Sequence, residues 1–184
     1  IGEDLKIGLL TDHIPIDQVS SSITKKTLTN KILKMIKSMH CDFLIPRPKI
    51  AILGLNPHAG DNGLIGSLDE KVVKPVIEAL NKENNSIFGP FSADSFFVKS
   101  NLVKYDSVLA MYHDQGLIPF KTLSFGSGVN FTSGLPIIRT SPDHGTAYDI
   151  AGKGTASYAS FYQALLLARQ LLINRSNKIS KKID

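Results

Sequence analysis

Apolar residues follow two kinds of pattern along the chain. Short unbroken runs bounded by polar or turn-forming residues predict buried strands at Lys6–Leu10 (KIGLL), Lys49–Leu55 (KIAILGL), Ser86–Phe91 and Val108–Met111. Recurrence at three- and four-residue spacing predicts helices. Between Thr24 and Met39, Leu28, Ile32, Met35, Ile36 and Met39 form one face and lysines the other. A second helix runs from about Asp69 to Asn81, with Val72, Val73, Val76, Ile77 and Leu80 inward and Asp69 and Glu70 complementing its N-terminal dipole. SADSFF reads as the first turn of another short helix. A long helix from about Ala156 to Asn174 has Tyr158, Phe161, Tyr162, Leu165, Leu166, Leu171 and Leu172 around so much of its circumference that it is expected to be buried, in the chain or against a partner. Strands alternating with helices predict an α/β protein with a largely parallel sheet flanked by helices.

The predicted strand ends carry the chemistry. His13, His58 and His113 each follow a buried run directly, and in open α/β sheets ligands gather at the carboxyl ends of strands. If the three strands are neighbours, three neutral imidazoles suit a borderline divalent ion such as zinc or cobalt, though spacing this wide establishes nothing alone. His58 lies in NPHAGDNG, a turn-forming stretch whose glycines allow backbone to approach a ligand closely. Lys121, Asn130 and Arg139 follow His113 and Asp114 at loop-like positions, and two cations with an amide suit a small phosphorylated or carboxylated anion. Asp94 is either a helix cap or an active-site carboxylate, and residue statistics favour the cap.

Composition narrows the reading. The 184 residues are 42% hydrophobic and 20% charged, which are globular values. No eighteen-residue apolar window reads as a membrane span. The N-terminus lacks the pattern of a secretory signal, and a single cysteine, Cys41, excludes an internal disulfide and fits a reducing cytoplasm. The formal net charge of +5 collects on Lys25, Lys26, Lys31, Lys34 and Lys37 and on a tail with Arg175, Lys178, Lys181 and Lys182. With no tryptophan and no interleaved aromatic and basic residues, this reads as a solvated helix face and a frayed tail, with no nucleic-acid partner.

TDHIPI, LNPHAGDNG, GPFSAD, AMYHDQGLIPFK and GVNFTSGLPIIRTSPDHGTAYDIAGKG, in that order, resemble the 4-hydroxythreonine-4-phosphate dehydrogenase family of pyridoxal 5'-phosphate biosynthesis from about Lys6 to Leu172. The resemblance implies an isocitrate/isopropylmalate dehydrogenase-like fold. It also implies oxidation of a phosphorylated hydroxy-amino acid with NAD or NADP, followed by loss of carbon dioxide, aided by a divalent cation (zinc, cobalt or magnesium). The metal ligands would be His13, His58 and His113, and the substrate ligands Lys121, Asn130 and Arg139. Asp94, Asp114 and Lys121 would be catalytic, which reverses the cap reading of Asp94. HGTAYDIAGKG is similar to the adenosine-binding loop of isopropylmalate and isocitrate dehydrogenases, so His144, Gly145, Thr146, Ala147 and Asp149 would bind the nucleotide.

A carboxylate at the ribose disfavours a 2'-phosphate, so NAD is expected over NADP. The family forms homodimers with shared active sites. Residues 1–140 would form the metal, substrate and dimerisation region, and 141–184 the nucleotide loop and a helix returning to a first, mostly absent domain. The family's N-terminal portion, with a His-Thr pair that contacts substrate, has no counterpart here, so these residues alone are expected to turn over little. The Asp42–Lys49 segment is also shorter than in the family. Two rivals are a dehydrogenase of threonate or erythronate 4-phosphate and a non-catalytic module that binds a regulatory anion.

Overall fold

The computed structural model describes residues 1–124 and 126–180, and Lys181 and Lys182 of the predicted tail lie outside the described residues, as does the side chain of Lys178. Four strands, β1 (Ile7–Leu9), β2 (Lys49–Leu53), β3 (Ser86–Phe91) and β4 (Ser107–Ala110), form one parallel sheet in the order β1-β4-β2-β3. Its register pairs Gly8 with Leu109 and Ala51 with Val108. Parallel strands need crossovers, and helices supply them: α1 (Ile16–Ser22) and α2 (Lys25–Cys41) join β1 to β2, and α3 (Lys74–Lys82) joins β2 to β3. The short helices α4 (Ala93–Phe96) and α5 (Lys99–Leu102) lead into β4, and α6 (His113–Leu123) follows it.

The unbroken apolar runs are explained by burial on both faces. Ile50, Ile52, Leu109 and Met111 meet Leu28, Ile32, Val76 and Leu80 of α2 and α3 on one side. Ala51, Leu53, Val108 and Ala110 meet Phe96 and Phe120 on the other. Ile50, Ile52 and Leu109 are completely buried, each stabilising the fold by about 1.5–3 kcal/mol relative to exposure. Helix α2 starts where the pattern predicts. Thr24 and Thr27 form a reciprocal cap, with Thr24 Oγ1 accepting from the Thr27 N–H at 3.1 Å and Thr27 Oγ1 from the Thr24 N–H at 2.9 Å. Pro15 immediately precedes α1 as its cap residue.

The last third is arranged differently. Strands β5 (Val129–Phe131) and β6 (Thr140–Pro142) form a separate antiparallel ribbon, which the apolar pattern does not predict because VNF and TSP contain no unbroken apolar run. The long helix α7 (Ala159–Ser180) holds this ribbon: the Thr140 hydroxyl donates to the Ala164 carbonyl at 2.9 Å, and the Ser160 hydroxyl donates to the Gly128 carbonyl at 2.9 Å.

Burial of α7 within the chain is not what the structure has. Ala164, Leu171 and Asn174 are buried, whereas Tyr158, Phe161, Leu165 and Leu172 are exposed, because only one side of the helix faces α2 and the ribbon. Arg175 also departs from its expected place in a frayed tail. Its Nε donates to Asp42 Oδ1 at 2.7 Å and its Nη1 to the Leu135 and Pro136 carbonyls, each at 3.2 Å, while the buried Asp42 carboxylate also accepts from the Ser38 hydroxyl.

Candidate active site

The three strand-end histidines are placed by three different local devices. His13 follows β1 and is exposed; its backbone N–H donates to Asp12 Oδ1 at 2.7 Å. His113 does not sit in a loop: it is the first residue of α6, with Tyr112 as the cap residue, and its Nδ1 lies 2.7 Å from Asp114 Oδ1. A carboxylate on Nδ1 orients the ring and leaves Nε2 as the nitrogen available to a ligand. His58 opens a run of left-handed residues, His58–Asn62, inside the turn Pro57–Gly63.

The structure brings His13 and His113 together, with ring centroids 5.5 Å apart and planes tilted by 57°. Two imidazoles bound to one cation through nitrogens at about 2.1 Å can stand that far apart, so this pair fits a shared metal ion. His58 is elsewhere. It lies close enough to Asp94 to act electrostatically on its carboxyl, and among the described residues no three His, Cys, Asp or Glu side chains gather as a metal site within the single chain. Asp94 is the second residue of α4, not its cap. The Ser92 hydroxyl donates to its carboxylate at 2.6 Å, and chiefly this bond holds Asp94 below the usual carboxylate range, with His58 adding in the same direction.

A cleft of about 530 Å³ opens beside the histidine pair, lined by Asp12, His13, Lys31, His113, Lys121, Asn130, Thr132, His144 and Gly145. Lys121 is in the last turn of α6 and Asn130 in the middle of β5, so neither is in a loop. Arg139 lies just before β6 and donates from Nη1 to the Thr132 hydroxyl at 2.9 Å, which ties it to one wall without making it part of the lining. Of the nucleotide-loop residues, His144 and Gly145 reach the cleft. Thr146, Ala147 and Asp149 do not; Ala147 is left-handed at φ 49° and Asp149 is in an exposed turn. Asp114 faces its neighbour His113 and is otherwise exposed.

Sequence reasoning missed three residues. Lys31, assigned to the solvated face of α2, is half-buried against the cleft, and burial lowers its pKa, partly offset by Asp12. Gln115 joins the His113 end of β4 to the end of β2: its Oε1 accepts from the Met111 N–H and its Nε2 donates to the Gly54 carbonyl, both at 2.7 Å. Asp69, expected to complement the N-terminal dipole of a helix, is completely buried beneath the His58 turn. Only the NPHAGDNG composition hinted that something must hold that turn.

Together these features define an α/β protein in which imidazole groups at the carboxyl ends of parallel strands share one cleft with ammonium and amide groups. A sequence profile of the pyridoxal phosphate biosynthetic protein PdxA matches residues 1–168, and the chain belongs to that family. It is similar to the 4-hydroxythreonine-4-phosphate dehydrogenase of Bacteroides thetaiotaomicron, 44% identical over 98% of this chain and 50% of the relative. It is also similar to that of a Sulfurihydrogenibium species, 47% identical over 95% of this chain and 53% of the relative. The chain spans about half the length of the curated relatives it matches.

Among solved structures, the 4-hydroxythreonine-4-phosphate dehydrogenase of Klebsiella pneumoniae superposes with a TM-score of 0.81 at 39% identity, over 93% of this chain and 52% of that one. A terephthalate 1,2-cis-dihydrodiol dehydrogenase from Burkholderia xenovorans superposes with a TM-score of 0.72 at 30% identity, over 91% of this chain and 53% of that one. The α/β fold with a parallel sheet is therefore the one that the sequence pattern predicts. Among the described residues no helix is long and apolar enough to cross a membrane.

Proposed function

We propose that this chain carries the metal-binding and anion-binding part of an NAD-dependent 4-hydroxythreonine-4-phosphate dehydrogenase. The observation that carries the reading is the cleft whose lining the His13–His113 pair shares with Lys121, Asn130 and His144. The substrate would be 4-phosphooxy-L-threonine. Its secondary alcohol gives up a hydride to the nicotinamide and a proton to a base, and the resulting β-keto acid releases carbon dioxide to leave 3-amino-2-oxopropyl phosphate. Lys121 and Asn130, with Arg139 behind Thr132, would hold the anionic groups by charge-assisted hydrogen bonds. Asp114 would keep His113 oriented, and Asp94 would serve as a carboxylate ionised at neutral pH beside His58.

His13 and His113 would hold a divalent ion from one chain, and His58 of a second copy would complete the set, which makes the site one shared by a homodimer. When bound, such an ion polarises the substrate oxygen and favours loss of the hydroxyl proton. The exposed turn with Asp149 would receive the adenosine, and its carboxylate would disfavour the extra phosphate of NADP. The loop with residues 141–158, continuing into α7, would form a nucleotide-binding unit distinct from residues 1–140.

The test is on the complete protein. NAD reduction with 4-phosphooxy-L-threonine should be abolished by a chelator and restored by a divalent ion. Lys121→Met should raise KM by roughly tenfold or more through loss of a charged hydrogen bond, and kcat/KM should be higher with NAD than with NADP. The dihydrodiol dehydrogenase that shares the fold gives a second reading a specific footing: another hydroxyl-bearing acid, among them threonate or erythronate 4-phosphate, is the substrate. Higher kcat/KM on one of those compounds would establish it. A protein with no turnover of any of them that still binds inorganic phosphate would be the non-catalytic module.

A further inference from the structure

Asp69 is a carboxylate with no exposed surface, and among the described residues no lysine, arginine or histidine forms an ion pair with it. A buried charge survives only where hydrogen bonds replace its water. Here they all come from the two residues at the base of the His58 turn. Oδ1 accepts from the Leu55 N–H at 2.8 Å; Oδ2 accepts from the Asn56 N–H at 3.1 Å and from Asn56 Nδ2 at 2.9 Å. The carboxylate also fills the inside of the turn. A Cβ on Gly54 would lie 3.2 Å from Oδ1 and one on Gly60 3.3 Å from Oδ2.

The turn above it is costly backbone. His58, Ala59, Gly60, Asp61 and Asn62 have φ of 52°, 52°, 85°, 42° and 53°, and only one of the five is glycine. Consecutive left-handed residues persist only where the surroundings over-determine them. One rigid, buried side chain accepts three hydrogen bonds from the two residues before Pro57, anchoring the base of the turn and so deciding where His58 emerges.

We propose that Asp69 is the positioning residue for His58, fixing the turn from beneath so that the imidazole is held ready for a metal ion; this rests on the reading of His58 as a ligand given above. Carboxylate chemistry is required. An asparagine offers one acceptor where two are used and turns an N–H toward a backbone N–H.

The experiment compares wild-type protein, Asp69→Asn, His58→Ala and the double variant, all in the complete protein, for cobalt(II) affinity by titration. Asp69→Asn should weaken cobalt binding by about tenfold or more, and the double variant should bind no more weakly than His58→Ala. An Asp69→Asn protein that binds cobalt as wild type does, or that loses the same factor again on the His58→Ala background, overturns the proposal. If His58→Ala itself binds cobalt normally, the ligand reading fails on its own. The positioning claim is then decided by NMR: a displaced His58 ring resonance and faster Leu55 and Asn56 amide exchange in Asp69→Asn uphold it, and unchanged values overturn it. Should Asp69→Asn not fold, Asn56→Ala, which removes one of the three bonds, takes its place with the same outcomes at smaller amplitude.

Discussion

Gln115 and Gly54, 61 residues apart in the chain, are joined by a 2.7 Å hydrogen bond from the glutamine amide to the glycine carbonyl. The other end of the same amide accepts from Met111, so one side chain sets the end of β4 against the end of β2 and hence the approach to His113 against the approach to His58. Gln115→Leu keeps the bulk and strands a partly buried donor and acceptor. It should cost about 2–6 kcal/mol, summing one unsatisfied group at each end. Urea unfolding of the complete protein measures it, and a loss below about 0.5 kcal/mol would show that water replaces both bonds.

Breaking the Arg175–Asp42 pair from one side only should be strongly destabilising. Asp42 has 4% of its side chain exposed and Arg175 22%, so Arg175→Met leaves a buried carboxylate unpaired at a cost of about 3 kcal/mol. The Asp42→Leu, Arg175→Met double variant should recover part of that loss. Because Arg175 also binds the Leu135 and Pro136 carbonyls, amide exchange in residues 133–138 should quicken in the single variant.

Lys31 makes stability depend on alkaline pH. Burial lowers its pKa in the folded protein below 10.5, so between the folded value and 10.5 the unfolded chain binds more protons. Stability from this group therefore rises with pH across that window. The difference in urea midpoint between wild type and Lys31→Met should narrow or reverse in favour of wild type as pH approaches 10.5. A difference constant with pH would show that Lys31 keeps its ordinary pKa.

Asp94 acts in the same sense at the acid end, where stability again rises with pH. Its pKa is lowered from 3.8 mainly by the Ser92 hydroxyl, so the contribution it makes to stability is complete above 3.8 and is lost as pH falls through the folded value. Ser92→Ala should move the carboxyl titration, followed by carbon NMR, back toward 3.8, and should leave neutral-pH stability nearly unchanged because Asp94 is exposed.

How much could be read from sequence depended on where each residue's partners lie. β2 and β4 were legible because burial on both faces demands uninterrupted apolar runs, and His13, His58 and His113 were legible as strand-end residues for the same reason. The helical setting of Lys121 was not, because Gly116 and Pro119 are poor helix residues. The structure supplies the reason for Gly116: a Cβ there would lie 2.7 Å from Leu9 Cδ2 and 3.0 Å from Ala110 Cβ, so close packing on the sheet outweighs propensity. Arg175 looked like tail because its partner, Asp42, is 133 residues away. Asp69 looked like a dipole-complementing acid because its own helix is the nearer explanation in sequence, whereas its hydrogen bonds run back across the turn to Leu55 and Asn56.

Helix α6 has His113 as its first residue and Lys121 in its last turn, with both facing the same cleft. Eight residues of helix rise about 12 Å, so the element acts as a ruler between the imidazole pair and the ammonium group. On the function proposed above, a ligand would be gauged by its length as well as its charge. One residue inserted between Gly116 and Lys121 would swing the ammonium by about 100° around the helix axis and erase the scale while leaving every side chain chemically intact.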